Sequence, residues 1–192
     1  SADRAVTVYD LDTSYEVSNR IADMDFLPCS LEYVWVEEER VECIVIGDAG
    51  GNVICVSLPR GWKGGDSDPL NNKNSYRTAK IHSDWVTKIK WIEDIDILLC
   101  CSLDSQISLF DIRKMEVTRS FNEHRRGVYD ATWHSEGRVI VSCGIDRVVL
   151  LWNPYTCEVI ARMSGHTSSV MAVHVDHANN NYISVGVDRT IK

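Results

Sequence analysis

Short apolar runs alternate with polar, glycine-bearing breaks along most of this chain, and the runs are too short for helices. Residues 128–133, Val-Tyr-Asp-Ala-Thr-Trp, predict one strand; residues 139–143, Val-Ile-Val-Ser-Cys, a second; and residues 148–152, Val-Val-Leu-Leu-Trp, a third. Between them, His134-Ser-Glu-Gly137 and Gly144-Ile-Asp-Arg147 supply the residues that reverse a chain, and Asn153-Pro154 closes the third strand. Residues 157–162 predict a fourth, more polar strand leading into Gly165-His166. No segment offers a long amphipathic helix, and Lys114-Met115-Glu116 is too short to nucleate one.

This unit recurs. His82, His124 and His166 are spaced by 42 residues (124 − 82 and 166 − 124), and Asp104, Asp146 and Asp188 follow them by 22 each. Val86, Val128 and Val170 share the register, as do Trp91 with Trp133, Cys100 with Ser142 and Ser184, and Phe110 with Trp152. Four strands in a period of roughly 40–45 residues describe a propeller blade, and the period is too long for ankyrin, tetratricopeptide or leucine-rich units.

The stretches Ser142-Cys-Gly-Ile-Asp-Arg-Val-Val-Leu-Leu-Trp152-Asn153 and Ser184-Val-Gly-Val-Asp-Arg-Thr-Ile-Lys192 resemble the WD-repeat family. Residues 1–11 are similar to the end of a preceding repeat, with Tyr9 where Trp152 stands. Residues 46–56 are a weaker copy, in which Gly50 takes the aspartate position, so this turn is expected to lack the family's side-chain hydrogen bond. The resemblance implies an all-β fold: a partial β-propeller of about four blades, each of four antiparallel strands, belonging to a larger propeller. It also implies a hydrogen-bond network inside each blade. His124, Ser142, Asp146 and Trp152 match all four roles, and His166, Ser184 and Asp188 match three. His82 and Asp104 form a pair without the relay, because Cys100 and Phe110 replace its other members; that blade is expected to rely on apolar packing. The units divide as 1–11 (end of a preceding repeat), 12–58 (divergent repeat), 59–75 (inserted loop), 76–114, 115–156 and 157–192, the last truncated in its third strand.

Composition narrows the class. At 192 residues, 44% hydrophobic and 25% charged, the chain reads as globular, and no apolar run reaches the roughly 20 residues of a membrane span. Its first residues have no signal-peptide pattern. A net charge of −8 repels phosphate backbones, so neither nucleic acid nor membrane is an expected partner. Seven cysteines without Cys-x-x-Cys spacing, mostly inside apolar runs, read as reduced thiols of an intracellular, cytoplasmic protein.

Ser142, His124 and Asp146 have the residue types of a nucleophilic triad, but a device repeated every 42 residues serves the repeat rather than a reaction. His174 and His177, three apart on a strand, point to opposite faces and have no further ligands at useful spacing. Asp66-Ser-Asp68 lacks the glycine and glutamate of a calcium loop, and Gly61-Trp-Lys-Gly-Gly65 lacks phosphate-loop spacing. Neither a metal, a cofactor nor a catalytic residue is expected.

Two features stand above scaffold chemistry. The polar insertion 59–75 carries Trp62, an anchor for a partner or part of a merely tolerated loop. The histidine-bearing connections place Asp84-Trp85, Arg125-Arg126 and Thr167-Ser168 on one rim with Ser105, Arg147 and Arg189. Trp85, Arg126, Arg147 and Arg189 are the expected contacts there, while Tyr129 is better explained by core packing. The implied function is a non-catalytic protein-protein interaction scaffold within a multi-subunit assembly. One alternative is a phosphopeptide-reading adaptor using the arginine-bearing rim. Less favoured is an enzyme with a site in the propeller channel, where only Lys88 or His174 is available. Residues 2–11 followed by 43–53 look like the large ciliary members that carry EF-hand and WD-repeat segments, which implies a ciliary or axonemal scaffold of the cytoskeleton. With no EF-hand loop in these residues, calcium binding is not carried over.

Overall fold

The computed structural model describes residues 4–9, 17–21, 24–36, 41–58 and 76–192. These form sixteen strands and one 3-10 turn, Glu93–Ile95. β1 (Val6–Tyr9) and β2 (Val17–Ile21) make a two-stranded sheet. Three four-stranded sheets follow, each a meander of consecutive antiparallel strands. Blade one is β3 (Pro28–Val36), β4 (Val41–Asp48), β5 (Asn52–Leu58) and β6 (Tyr76–Lys80); blade two is β7 (Val86–Ile92), β8 (Ile97–Ser102), β9 (Ile107–Asp111) and β10 (Glu116–Phe121). Blade three is β11 (Val128–His134), β12 (Val139–Gly144), β13 (Val148–Trp152) and β14 (Val159–Ser164). β15 (Val170–Asp176) and β16 (Asn181–Gly186) open a fourth sheet, and Ile191 bridges back to Val185.

The sheets and the repeat units are offset by one strand. β10 falls in the 115–156 unit by sequence, yet it pairs with β9 of the preceding sheet. Each unit therefore ties two neighbouring blades together, because its first strand is the outer edge of one sheet and its remaining strands begin the next.

Burial follows position in the blade. The second and third strands have neighbours on both faces, and β8 and β9 are almost wholly buried. The outer strand β10 is exposed except for Phe121. Inner strands pack on the preceding sheet: Ile89 and Trp91 join Val34, Val45 and Val53 in one cluster, Ala131 and Trp133 join Leu99 and Leu109, and Val173 and Val175 join Val141 and Val149. Burying one such side chain is worth about 1.5–3 kcal/mol. On β3 the corresponding face is open, and Leu31, Tyr33 and Trp35 are exposed.

Each inner strand starts with a bulge. The pairing slips between Pro28 and Ser30, Val86 and Lys88, Val128 and Asp130, and Val170 and Ala172. The extra residue twists the strand entry and brings the connection before it over the sheet edge.

Candidate functional site

The connection entering β7, β11 and β15 meets the turn after the next strand, and the meeting point is a histidine on an aspartate. In blade three His124 Nδ1 lies 2.9 Å from Asp146 Oδ2, His124 Nε2 lies 2.7 Å from Ser142 Oγ, and Trp152 Nε1 lies 2.7 Å from the same hydroxyl. The direction of the chain is set by its ends, since an indole N–H only donates and an ionised carboxylate only accepts. Trp152 therefore donates to Ser142, Ser142 to His124, and His124 through Nδ1–H to Asp146. Asp146 also accepts from the Arg125 amide. Burial works against its charge, but the bonds from His124 and the backbone outweigh this and hold the carboxyl below the usual aspartate range.

This is the order of groups in a Ser-His-Asp triad, without the access a nucleophile needs. Ser142 is wholly buried, and its oxygen is already engaged by Trp152. Moreover, the device recurs: His166 lies 2.9 Å from Asp188 Oδ2 and 2.9 Å from Ser184 Oγ. A Cβ on Gly186 would stand 2.5 Å from His166 Nδ1, so glycine is what lets imidazole and carboxylate meet there.

Blade two keeps half of the relay. His82 Nδ1 is 3.0 Å from Asp104 Oδ2, but Nε2 is buried with no partner among the described residues, because Cys100 and Phe110 stand in place of the serine and tryptophan. Asp104 recovers bonds from the Ser83 and Gln106 amides.

Blade one abandons the network. Met24 occupies the histidine position, Ile46 the serine position, Gly50 the aspartate position and Val56 the tryptophan position. The turn lacks the histidine–aspartate hydrogen bond of the other blades, as expected, and a different side chain holds it. Asp48 Oδ1, two residues earlier, accepts from the amides of Gly50 (2.8 Å) and Asn52 (2.9 Å), and Asn52 Nδ2 closes the loop onto both carboxylate oxygens. Asp48 escaped the repeat register because it stands where Ser102, Gly144 and Gly186 stand in the other blades. The cue was local, the Asp-x-Gly-x-Asn spacing of an Asx-type turn.

The histidine–aspartate bonds bring two sets of connections to one end of the blades, and the rim residues lie there. Gly51, Ser105, Arg147 and Arg189 occupy one turn position with φ of 80°, 75°, 69° and 64°. A left-handed backbone suits Gly51; at Arg147 and Arg189 it is tolerated with the side chain in solvent. Arg126, Arg147 and Arg189 are exposed, and none of the three guanidinium groups has a partner among the described residues. Trp85 is 44% exposed, its amide held by Asp84. Tyr129 is half-buried at the inner-strand bulge, and Trp62 with the whole 59–75 insertion lies outside the described residues.

On the channel side, Lys88 pairs with Asp130 at 3.8 Å, and Asp130 also accepts from the Val173 amide of the next blade. Glu32 does the same for the Trp91 amide. These carboxylates, unremarked in the sequence, join successive blades. His174 is exposed on β15, whereas His177 packs its ring against buried His134 at 5.4 Å. Among the described residues no group of three or more metal-ligating side chains converges. None of the seven cysteines is in a disulfide, and burial pushes the Cys55 thiol up to about 12.

None of the curated proteins matches the chain significantly. Among solved structures, it is similar to the WD40 beta propeller domain of Doa1, with a TM-score of 0.71 and 20% identity, over 91% of this chain and 53% of that one. The chain thus spans about half of that solved domain's length, and at this identity the likeness establishes the fold. The WD domain, G-beta repeat family matches residues 73–111, 115–153 and 157–192. These three matches cover more than half of the chain and coincide with the three histidine–aspartate units, and the protein belongs to the WD domain, G-beta repeat family.

Proposed function

We propose that this chain is part of a non-catalytic docking scaffold whose contact surface is the rim bearing Trp85, Arg126, Arg147 and Arg189, with the 59–75 insertion and its Trp62 as a second contact. WD40 propeller domains generally mediate protein-protein interaction. The observation that carries the placement is the division of labour among polar groups: the relay groups are spent on each other inside the blades, whereas the rim guanidinium groups are exposed without internal partners. The repeats serve as the units, with boundaries at 12–58, 76–114, 115–156 and 157–192, and the scaffold works in a multi-subunit intracellular assembly without nucleic acid or membrane.

The test is substitution of Trp85 and Arg126 by alanine in the intact protein, followed by melting and by recovery of native partners. Recovery should fall while the melting temperature stays within about a degree or two, since surface changes are worth at most about 0.5 kcal/mol. Unchanged recovery, or loss only in step with unfolding, would place the interface elsewhere.

A second reading, that the rim reads acidic or phosphorylated peptides, is supported by the arginines at two successive turn positions, Arg147 and Arg189. Titration of phosphorylated against plain peptides separates it from general docking. The ciliary or axonemal setting rests on the sequence resemblance, and localisation of the tagged full-length protein in ciliated cells tests it; exclusion from the cilium would remove it.

A further inference from the structure

One rim position can be followed from blade to blade, two residues before the start of each inner strand: it is Phe26 ahead of β3, Asp84 ahead of β7, Arg126 ahead of β11 and Ser168 ahead of β15. The turn position beside it runs Gly51, Ser105, Arg147, Arg189. Both change character at the same seam. In blades one and two these positions offer a phenyl ring, a carboxylate and no cation, whereas blade three and the sheet after it offer three exposed arginines. Phe26 is 47% exposed, and Trp85, next to Asp84, 44%. Asp84 and Arg126 are exposed although a four-stranded blade precedes each, so the exposure belongs to the position and not to the open face of β3. A Cβ on Gly50 would stand 2.6 Å from the Phe26 ring, and one on Gly51 would stand 3.1 Å from the Asp84 carbonyl. The ring therefore lies on bare backbone, and the glycine pair joins it to the connection that carries Trp85. Asp84 gives one carboxylate oxygen to the Trp85 amide at 2.8 Å, and its other oxygen has no partner among the described residues.

We propose that the rim takes one extended peptide segment of fixed polarity, with a basic side chain and an apolar neighbour over Phe26 and Trp85 and an acidic run over Arg126, Arg147 and Arg189. The inference rests on the rim reading above and adds what the partner carries and which way it lies. A lysine or arginine fits the first half: its stem covers apolar surface, its cation is attracted to the ring faces, and Asp84 supplies the opposite charge. The glycine pair raises no side chain there, so a peptide backbone can come close. The second half fits carboxylates, which guanidinium groups without internal partners bind through charge-assisted hydrogen bonds. Turning the segment round would set cation against arginine at one end and carboxylate against Asp84 at the other, and this like-charge contact is what fixes the polarity.

The test uses the intact protein and a synthetic peptide with Arg-Leu-Arg at one end, Glu-Glu-Glu at the other and a Gly-Ser linker of about ten residues between them. Saturable binding is expected, at least tenfold tighter than that of peptides in which either end is replaced by Gly-Ser. A nitroxide on the glutamate end should broaden the amides of residues 146–148 and 188–190, and one on the arginine end those of residues 25–27 and 83–86. Asp84→Lys and Arg147→Glu, both at exposed side chains, should each weaken binding at least tenfold with the melting temperature unchanged. Rim broadening shared equally by the two labels overturns the polarity while the docking rim stands. Broadening away from the rim overturns both, and absence of saturable binding overturns the segment proposed here.

Discussion

Arg77 and Arg119, 42 residues apart on the outer strands β6 and β10, perform the same task in successive blades. Arg77 donates to the carbonyls of Ile112 and of Arg113, the latter at 2.7 Å, and Arg119 donates to the carbonyl of Tyr155 at 2.6 Å. In both cases the acceptor is the turn between the third and fourth strands of the next blade. At the inner end of the same seams, Ser30 donates to the Val86 carbonyl and Thr87 to the Val128 carbonyl. The seams are therefore stitched at the rim of the wheel as well as at its hub. Ala161, at the next step of the period, has no guanidinium to continue the outer stitch.

Arg119→Ala should lower stability by about 1 kcal/mol, the net worth of a typical hydrogen bond, and should loosen the Tyr155 turn before the rest of blade three. Denaturant melts give the first quantity and amide exchange at residues 153–158 the second; equal protection in wild type and variant would remove the stitch.

Asp146→Ala should cost more than Asp104→Ala. Losing Asp146 strands His124 at the end of a relay through Ser142 to Trp152, whereas His82 has no relay behind it. A loss of about 1–3 kcal/mol is expected at Asp146. Denaturant melts of the intact propeller make the comparison, and equal losses would count against cooperativity in the relay.

Cys100→Ser with Phe110→Trp should rebuild the relay that blade two lacks, giving His82 Nε2 a hydroxyl and that hydroxyl an indole donor. Each single change leaves one member unmatched in a buried site. The pair should be more stable than the sum of the singles by about 1 kcal/mol or more, read from a double-mutant cycle. Additivity would mean that the two side chains do not meet.

Acid should destabilise the fold through these aspartates. Burial opposes the charge on Asp104, but the hydrogen bonds from His82, Ser83 and Gln106 outweigh it and hold the carboxyl at about 2. A carboxyl depressed on folding contributes stability that is present above its unfolded value of about 4 and lost as pH falls through its folded value. The decline is therefore expected between about pH 4 and pH 2, and Asp104→Asn should flatten it in melts taken across that window.

Thiol labelling should divide the cysteines. Cys29 and Cys157 are half-buried, whereas Cys43, Cys55, Cys100, Cys101 and Cys143 are buried, and burial raises the thiols of Cys55, Cys100, Cys101 and Cys143. Native alkylation at neutral pH should reach Cys29 and Cys157 alone, with the other five labelled on unfolding; mass mapping of the labelled peptides decides it.

What the sequence determines by itself here is periodic and local. The alternation in residues 128–152, the turn at Gly144-Ile-Asp-Arg147 and the recurrence of the His124–Asp146 pair at 42-residue intervals specify strands, turns and the meander that joins them, because strand period and turn chemistry act over a few residues. Where the repeat decays, in blade one, the Asp48-Ala-Gly-Gly-Asn52 spacing still marks the turn, but the sequence is silent on what packs in place of the relay. That Met24, Ile46 and Val56 replace the relay of blade one with apolar packing, and that Arg77 and Arg119 reach the following blade, were decided by the tertiary structure. A seam is made by faces of two sheets far apart in the chain, and the fit of side chains across it depends on which volumes meet, a quantity that no single strand contains.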